Sequence, residues 1–195
     1  ALEAENKQTR RERELPNHIV VYFIMMLALF RDASHTEVLR CVFEGLQWLL
    51  GPQSVKITGK SGISQARTRV GWKPLKRLFE SVAAPLAKPG DKGAYYSGHR
   101  IVAIDGSLFD VADTADNVEA FGRPSNDQGQ GAFPKARMVG LLECGTHAFF
   151  RAEIGGYRTS EQELAPMVLE GLKEDMVCLA DRNFTSFTLF RDAQK

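Results

Sequence analysis

Cysteine and histidine are scarce in this chain of 195 residues, with three and four respectively. Cys41, Cys144 and Cys178 share no ligand spacing, and His18, His35, His99 and His147 form no cluster. That leaves no Cys/His zinc motif and no disulfide framework. Each cysteine sits among apolar neighbours and reads as a small core residue in a reducing compartment. Long apolar runs are missing too. The longest, 18–30, has about a dozen apolar residues, short of the ~20 that span a bilayer, and Arg31 and Asp32 follow it. It reads as a buried helix. No signal peptide is visible, so we expect no membrane partner and a cytoplasmic protein.

An excess of one charge is also lacking, since Lys+Arg number 25 and Asp+Glu 24. The balance hides an asymmetry. Residues 1–98 carry 15 basic and 9 acidic side chains, a net +6, and residues 99–195 carry 10 and 15, a net −5. The basic portion suits a polyanion and the acidic portion suits cations. With 44% hydrophobic residues, the chain has apolar material for one or two cores.

Residues 1–14 are polar and read as a solvated lead-in. Pro16 opens a helix over about 17–31. Ser34, with Glu37 three residues on, has capping-box spacing and starts a second helix that Gly51-Pro52 stops. Val38, Val42, Leu46, Leu49 and Leu50 share one face of it. A short helix over 63–70 and another over 72–84 complete an all-helical unit, 15–87. The turn-rich segment 88–98 is a linker.

The pattern then changes. Arg100-Ile-Val-Ala-Ile-Asp105 is a short apolar run ending in a carboxylate, and Gly106 follows. Polar, Gly-rich residues fill 113–134. Strands over 136–143 and 147–154 around Cys-Gly-Thr predict an antiparallel hairpin. Ser160-Glu-Gln-Glu163 is a second capping box and opens a helix to about Leu172. Met176–Asp181 is a second apolar run ending in a carboxylate, and 185–193 begins another helix. This order predicts a mixed sheet whose helix-linked return strand lies parallel to the first. The fold class is α+β overall, an all-α domain followed by a mixed α/β domain over 99–195.

Parallel neighbours that both end in Asp would bring Asp105 and Asp181 to one sheet edge, where open α/β sheets hold their ligands. Two close carboxylates repel unless a cation lies between them, and hard oxygen donors suit Mg²⁺ or Mn²⁺. An Asp at a strand end also serves as an ordinary turn or helix cap. In the basic portion, Gln65, Arg67 and Arg69 lie on the short helix, with Lys60 before it and Lys73, Lys76 and Arg77 after it. They fit a helix-turn-helix-like contact to DNA phosphates, or equally an exposed polar face. Arg182 follows the second Asp and fits either a phosphate or a carboxylate partner. Asp110, Asp113 and Asp116 read as a solvated acidic loop, with an auxiliary metal ligand as the alternative. Gly106 reads as a site of backbone crowding, and Trp48, Trp72, Phe121 and Phe133 as packing residues.

Several segments resemble, in order, the bacterial DDE transposases of the insertion element 4 family. They are Arg-Arg-Glu-Arg-Glu-Leu-Pro (10–16), Leu-Phe-Arg-Asp (29–32), Ser-Gln-Ala-Arg-Thr-Arg-Val-Gly (64–71) and Leu-Lys-Arg-Leu-Phe (75–79) in the helical unit. In the acidic portion they are Ile-Asp-Gly-Ser (104–107), Glu-Ala-Phe-Gly-Arg-Pro (119–124), Gly-Tyr-Arg-Thr-Ser-Glu-Gln (156–162) and Ala-Asp-Arg-Asn-Phe (180–184). The resemblance implies an RNase H-like fold for 99–195, incomplete at its C-terminus, with Asp105 and Asp181 as the first two members of an Asp-Asp-Glu triad. It further implies two Mg²⁺ or Mn²⁺ ions in the complete site, DNA (transposon ends and target) as partner, a homodimer in the end complex and cleavage followed by strand transfer.

The chain departs from the family in one respect. The third acid belongs to a Tyr/Arg/Glu helical motif that no segment here matches. Glu161, Glu163 and Glu170 fall on the helix before the second Asp, in the wrong topological place. We therefore expect 1–195 to be a piece of a longer enzyme, inactive by itself. The alternative is a non-catalytic DNA-binding remnant of a transposase. An aspartate-nucleophile phosphatase fits less well, because Asp105-Gly-Ser107 lacks the second carboxylate of Asp-x-Asp.

Overall fold

A computed structural model describes residues 1–8, 15–50, 59–126 and 129–186, together with 189 and 191. They form two compact units, Ala1–Ser81 and Val82–Lys195. The division falls ahead of the 88–98 linker read from the sequence. Glu143 explains why: its buried carboxylate accepts the amides of Leu86 (3.0 Å) and Ala87 (2.7 Å), so the segment after the last helix belongs to the second unit.

The first unit contains α1 (Asn17–Leu29), α2 (His35–Leu50), α3 (Lys60–Val70) and α4 (Lys73–Val82). Pro16 stands at the N-cap of α1, and the Glu37 amide donates to Ser34 Oγ (3.2 Å) at the start of α2, as the capping pattern predicts. Ile19, Val20 and Phe23 of α1 close on Val38, Leu39 and Val42 of α2 and on Ile63, Ala66 and Val70 of α3. Phe23 meets His35 edge to face. The apolar run 18–30 is thus a core helix. Among the described residues no helix is long and apolar enough to cross a membrane.

Residues 1–8 are docked, whereas the sequence led us to expect a solvated lead-in. Leu2 packs against the helical core, Lys7 Nζ donates to the Arg69 carbonyl at the end of α3 (2.9 Å), and Asn17 Nδ2 donates to the Lys7 carbonyl (2.5 Å). Polar side chains here occupy backbone groups that helix ends leave unpaired. Residues 9–14, the Gly51-Pro52 stop and the Trp48 side chain lie outside the described residues.

The second unit is a five-stranded mixed sheet: β1 (Tyr95–Tyr96), β2 (His99–Asp110), β5 (Lys135–Glu143) and β6 (Phe149–Gly156) in antiparallel order, with β7 (Met176–Ala180) parallel to β2 along its other edge. The β1–β2 turn places both Ser97 (φ 46°) and Gly98 (φ 85°) in the left-handed region, as a type I′ hairpin requires. Helix α6 (Glu161–Leu169) opens with the predicted capping box and lays Leu164, Ala165 and Val168 on Val102, Ile104, Val139 and Leu141. On the opposite face Val177 (37%), Leu179 (52%) and Ile154 (61%) remain exposed.

Two sequence expectations are corrected. Strand β2 does not end at Asp105 but continues to Asp110, because its ladder with β5 runs on to the Asp110–Lys135 pair. Only the parallel pairing stops at Ile104. The stretch 113–134 is not wholly irregular either. It contains α5 (Ala115–Phe121), N-capped by Thr114, and a two-residue pair of strands, β3 (Ser125–Asn126) and β4 (Gly129–Gln130). The helix expected over 185–193 falls largely outside the described residues. Before it, Arg182–Phe184 forms a single 3-10 turn.

Candidate active site at the carboxyl end of the parallel pair

The parallel register pairs Ala103 with Leu179 and Ile104 with Ala180. The next residue on each chain is an aspartate, so Asp105 and Asp181 stand side by side at a neighbouring-strand spacing of about 4.8 Å. Alternation settles their direction. Val102 and Ile104 are buried under α6, and Met176 and Cys178 pack into the same core. Asp105, one residue past Ile104, therefore points to the opposite face. Asp181 keeps extended backbone (φ −76°, ψ 173°) and continues the alternation that exposes Val177 and Leu179. Both carboxylates emerge on the same, open face.

Each is anchored through one oxygen. Asp105 Oδ1 accepts the Gly106 amide (2.8 Å), and Asp181 Oδ1 accepts the Asn183 amide (2.8 Å), capping the 3-10 turn. Neither has a cationic side-chain partner among the described residues. The cap reading of a strand-end Asp is thus realised at Asp181, whose side chain remains exposed. Two exposed hard donors fit a divalent oxygen-seeking cation, with most of its coordination left to water or phosphate. Among the described residues no group of three His, Cys, Asp or Glu side chains is placed to hold a metal ion.

Glu161 comes close to the pair from behind. Sequence reasoning set it aside on topology, yet its carboxylate lies against Gly106, the residue after Asp105. It is no third ligand. Oε1 accepts Arg137 Nη1 (2.7 Å), Oε2 accepts Asn183 Nδ2 (2.7 Å), and the group sits on the α6 side of the sheet. The signal that could have found it is Gly106 itself, since a strand glycine marks a close approach. Arg182 is exposed at the lip of the site. Asp110, Asp113 and Asp116 are exposed, in keeping with a solvated acidic run, and Asp110 and Asp113 are paired at the surface with Lys135 and Arg123.

The basic residues of the first unit separate by environment. Arg67 and Lys73 are exposed, and Lys76 is exposed beside Glu80 (3.8 Å). Arg69 is committed to the fold: Nε donates to Asn17 Oδ1 (2.8 Å) and Nη2 to the Leu15 carbonyl (2.7 Å). Trp72 and Phe133, expected to pack, are instead exposed at 64% and 49%. The cysteines are only partly buried. Burial nevertheless pushes the Cys178 thiol up to about 11.

The chain thus combines a helical unit with a mixed sheet whose parallel strand pair ends in two aspartates. Residues 1–80 match the family described as insertion element 4 transposase N-terminal. The chain is also similar to two Escherichia coli (strain K12) proteins. One is the transposase InsG for insertion sequence element IS4, 29% identical over 181 residues, covering 93% of this chain and 40% of that protein. The other is the putative transposase InsZ, 29% identical over 185 residues, covering 91% of this chain and 57% of that protein. These matches support the resemblance read from the motifs: the chain is similar to insertion element 4 transposases over most of its length, and its first 80 residues match their N-terminal family. It spans about half the length of those relatives or less.

Proposed function

We propose that the complete protein is a transposase that cuts and rejoins DNA at insertion-sequence ends by divalent-metal-dependent phosphoryl transfer. In this reading Asp105 and Asp181 are the first two members of its acidic triad, and 82–195 is the opening portion of an RNase H-like domain. One observation carries it, the parallel β2–β7 register that sets Asp105 beside Asp181 on one open face. When bound, Mg²⁺ or Mn²⁺ would neutralise the phosphodiester and assist the attacking and leaving oxygens. The chain's own part is to hold two hard donors in fixed geometry, anchored by the Gly106 and Asn183 amides. Arg182 at the lip supplies positive charge for a DNA phosphate, and Arg67, Lys73 and Lys76 supply it on the helical unit, with Arg69 acting through the fold. The assembly acts as a homodimer across paired ends.

The test is Mn²⁺-dependent nicking of DNA carrying the insertion-sequence end by the complete protein, with Asp105→Asn and Asp181→Asn as controls. Each substitution should reduce nicking by about 10²–10³-fold, the order expected when one preorganised group at a transition state is removed. Nicking that survives both would overturn the reading. The second reading is a non-catalytic DNA-binding remnant of a transposase. Binding of end DNA without any nicking would select it.

A further inference from the structure

We infer that Glu161 is a positioning residue that fixes the Asp181 carboxylate relative to Asp105 from the opposite side of the sheet. The inference rests on the reading of those two aspartates as a catalytic pair. The residues form a continuous chain. Glu161, the first residue of α6, is tied to β5 through Arg137 and to the 3-10 turn through Asn183 Nδ2, each at 2.7 Å. Asn183 in turn gives its backbone amide to Asp181 Oδ1 at 2.8 Å. The neighbouring Gln162 adds a second tie, donating Nε2 to the Asn183 carbonyl (3.1 Å). The start of α6, through Glu161 with Gln162 beside it, therefore sets where Asn183 lies, and the Asn183 amide sets which way Asp181 faces.

Three features make this a device and not an incidental surface contact. The Arg137–Glu161 pair is largely shielded, with both side chains 18% exposed, so its charge-assisted bonds are weakly screened by solvent. The carboxylate occupies the space a side chain at position 106 would fill: a Cβ there would stand 2.5 Å from Glu161 Oε1. β2 accordingly carries glycine immediately after Asp105. Finally, Asp181 follows a strand of five residues on the sheet's edge and caps a single 3-10 turn, so the α6 ties fix a carboxylate that β7 alone would leave loosely oriented. Outer groups of this kind orient ligating carboxylates, and their loss weakens metal affinity by about 10–100-fold.

The experiment uses the complete protein with Glu161→Ala, Glu161→Gln, Asn183→Ala and the Glu161→Ala/Asn183→Ala double variant. Hydrogen exchange by mass spectrometry, without metal, follows the peptide covering 179–186, and thermal unfolding reports the global fold. Nicking is titrated with Mn²⁺ in parallel. Expected for Glu161→Ala and Asn183→Ala is faster exchange of that peptide. The Mn²⁺ concentration for half-maximal nicking should rise about tenfold or more, and the rate at saturating Mn²⁺ should stay within a few-fold of wild type. The double variant should be no worse than either single one, because both break one chain of contacts. Glu161→Gln, which keeps the shape and an acceptor for Asn183, should recover part of the effect. Unchanged exchange and Mn²⁺ dependence in folded Glu161→Ala would overturn the inference, as would additive losses in the double variant. If Glu161→Ala fails to fold, the exposed Asn183→Ala decides alone: wild-type exchange and Mn²⁺ dependence in it overturn the inference. Failure of the underlying reading shows differently, as nicking retained in Asp105→Asn and Asp181→Asn.

Discussion

Glu161 and Gly106 are in such close contact that the glycine has no room for a side chain: a Cβ built on it would lie 2.5 Å from Oε1 and 2.6 Å from Cγ of Glu161. A free surface glutamate would swing away at little cost. This one is held by Arg137 and Asn183, so moving it breaks two bonds. Gly106→Ala should therefore destabilise the second unit by about 1–3 kcal/mol, the range for overpacking a fitted site. In a Glu161→Ala background the same substitution should cost much less. Chemical denaturation of the four proteins in this cycle measures the coupling, and equal costs in both backgrounds would show that the carboxylate does not occupy that space.

Glu143 predicts the largest stability loss in the sheet domain. Fully buried, it accepts from Arg100, from Thr146 Oγ1 (2.5 Å) and from the Leu86 and Ala87 amides (3.0 and 2.7 Å). Arg100 is itself only 15% exposed and lies over the Tyr95 ring. Glu143→Ala strands that guanidinium and two backbone donors, so a loss of about 3–5 kcal/mol is expected. Segment 83–88 should also exchange amide hydrogens faster. A loss under 1 kcal/mol would mean that the tether is redundant.

The parts of the fold legible in the sequence were those written in local chemistry. Ser34 with Glu37 and Ser160 with Glu163 announced two helix starts, and the run to Asp181 announced a strand whose helical connection implied parallel pairing with β2. What lay hidden was decided by partners distant in sequence. β2 outlasts Asp105 because β5 supplies a ladder to Asp110, which nothing in 106–110 reveals. Glu143 looks like an ordinary strand-end carboxylate until Arg100 and the 86–87 amides converge on it. Arg67 and Arg69 look alike as basic residues of one helix, and only the Asn17 and Leu15 contacts tell them apart. The pairing of the two aspartates' strands was legible because both apolar runs end in Asp and a helix-linked return strand runs parallel to the first. The Glu161 link was not, because it passes through a glycine and an asparagine.

That difference between Arg67 and Arg69 gives a test of the basic unit. Arg69→Ala removes bonds to Asn17 Oδ1 and the Leu15 carbonyl and should destabilise the helical unit by about 1–3 kcal/mol. Arg67→Ala, at an exposed position, should leave thermal stability unchanged. If the helical unit contacts DNA, Arg67→Ala should weaken binding to all sequences alike and lower the salt dependence by about one counterion. Binding assays over a salt series check this. An unchanged slope would remove Arg67 from the interface.

The capping box of α6 carries the pH prediction. Ser160 gives its backbone amide (2.6 Å) and its hydroxyl (2.8 Å) to Glu163 Oε2, and these bonds, the backbone one foremost, hold the Glu163 carboxyl below its ordinary value of 4.5. A carboxyl depressed in the folded state binds protons more readily when unfolded, so its stabilisation is whole above about pH 4.5 and fades as pH falls towards the lower folded value. Glu163→Gln retains an acceptor without the titrating charge. The melting temperature of wild type should thus exceed that of Glu163→Gln by a constant margin between pH 6 and 7, and the two should converge as the solution is acidified below the ordinary carboxylate range. Because α6 also carries Glu161, the same acidification should lower the protection of amides 179–186, taken relative to their intrinsic exchange rate at each pH, before the sheet as a whole unfolds. A margin that stays constant down to the acid transition would show that the Ser160–Glu163 bonds leave the carboxyl unshifted.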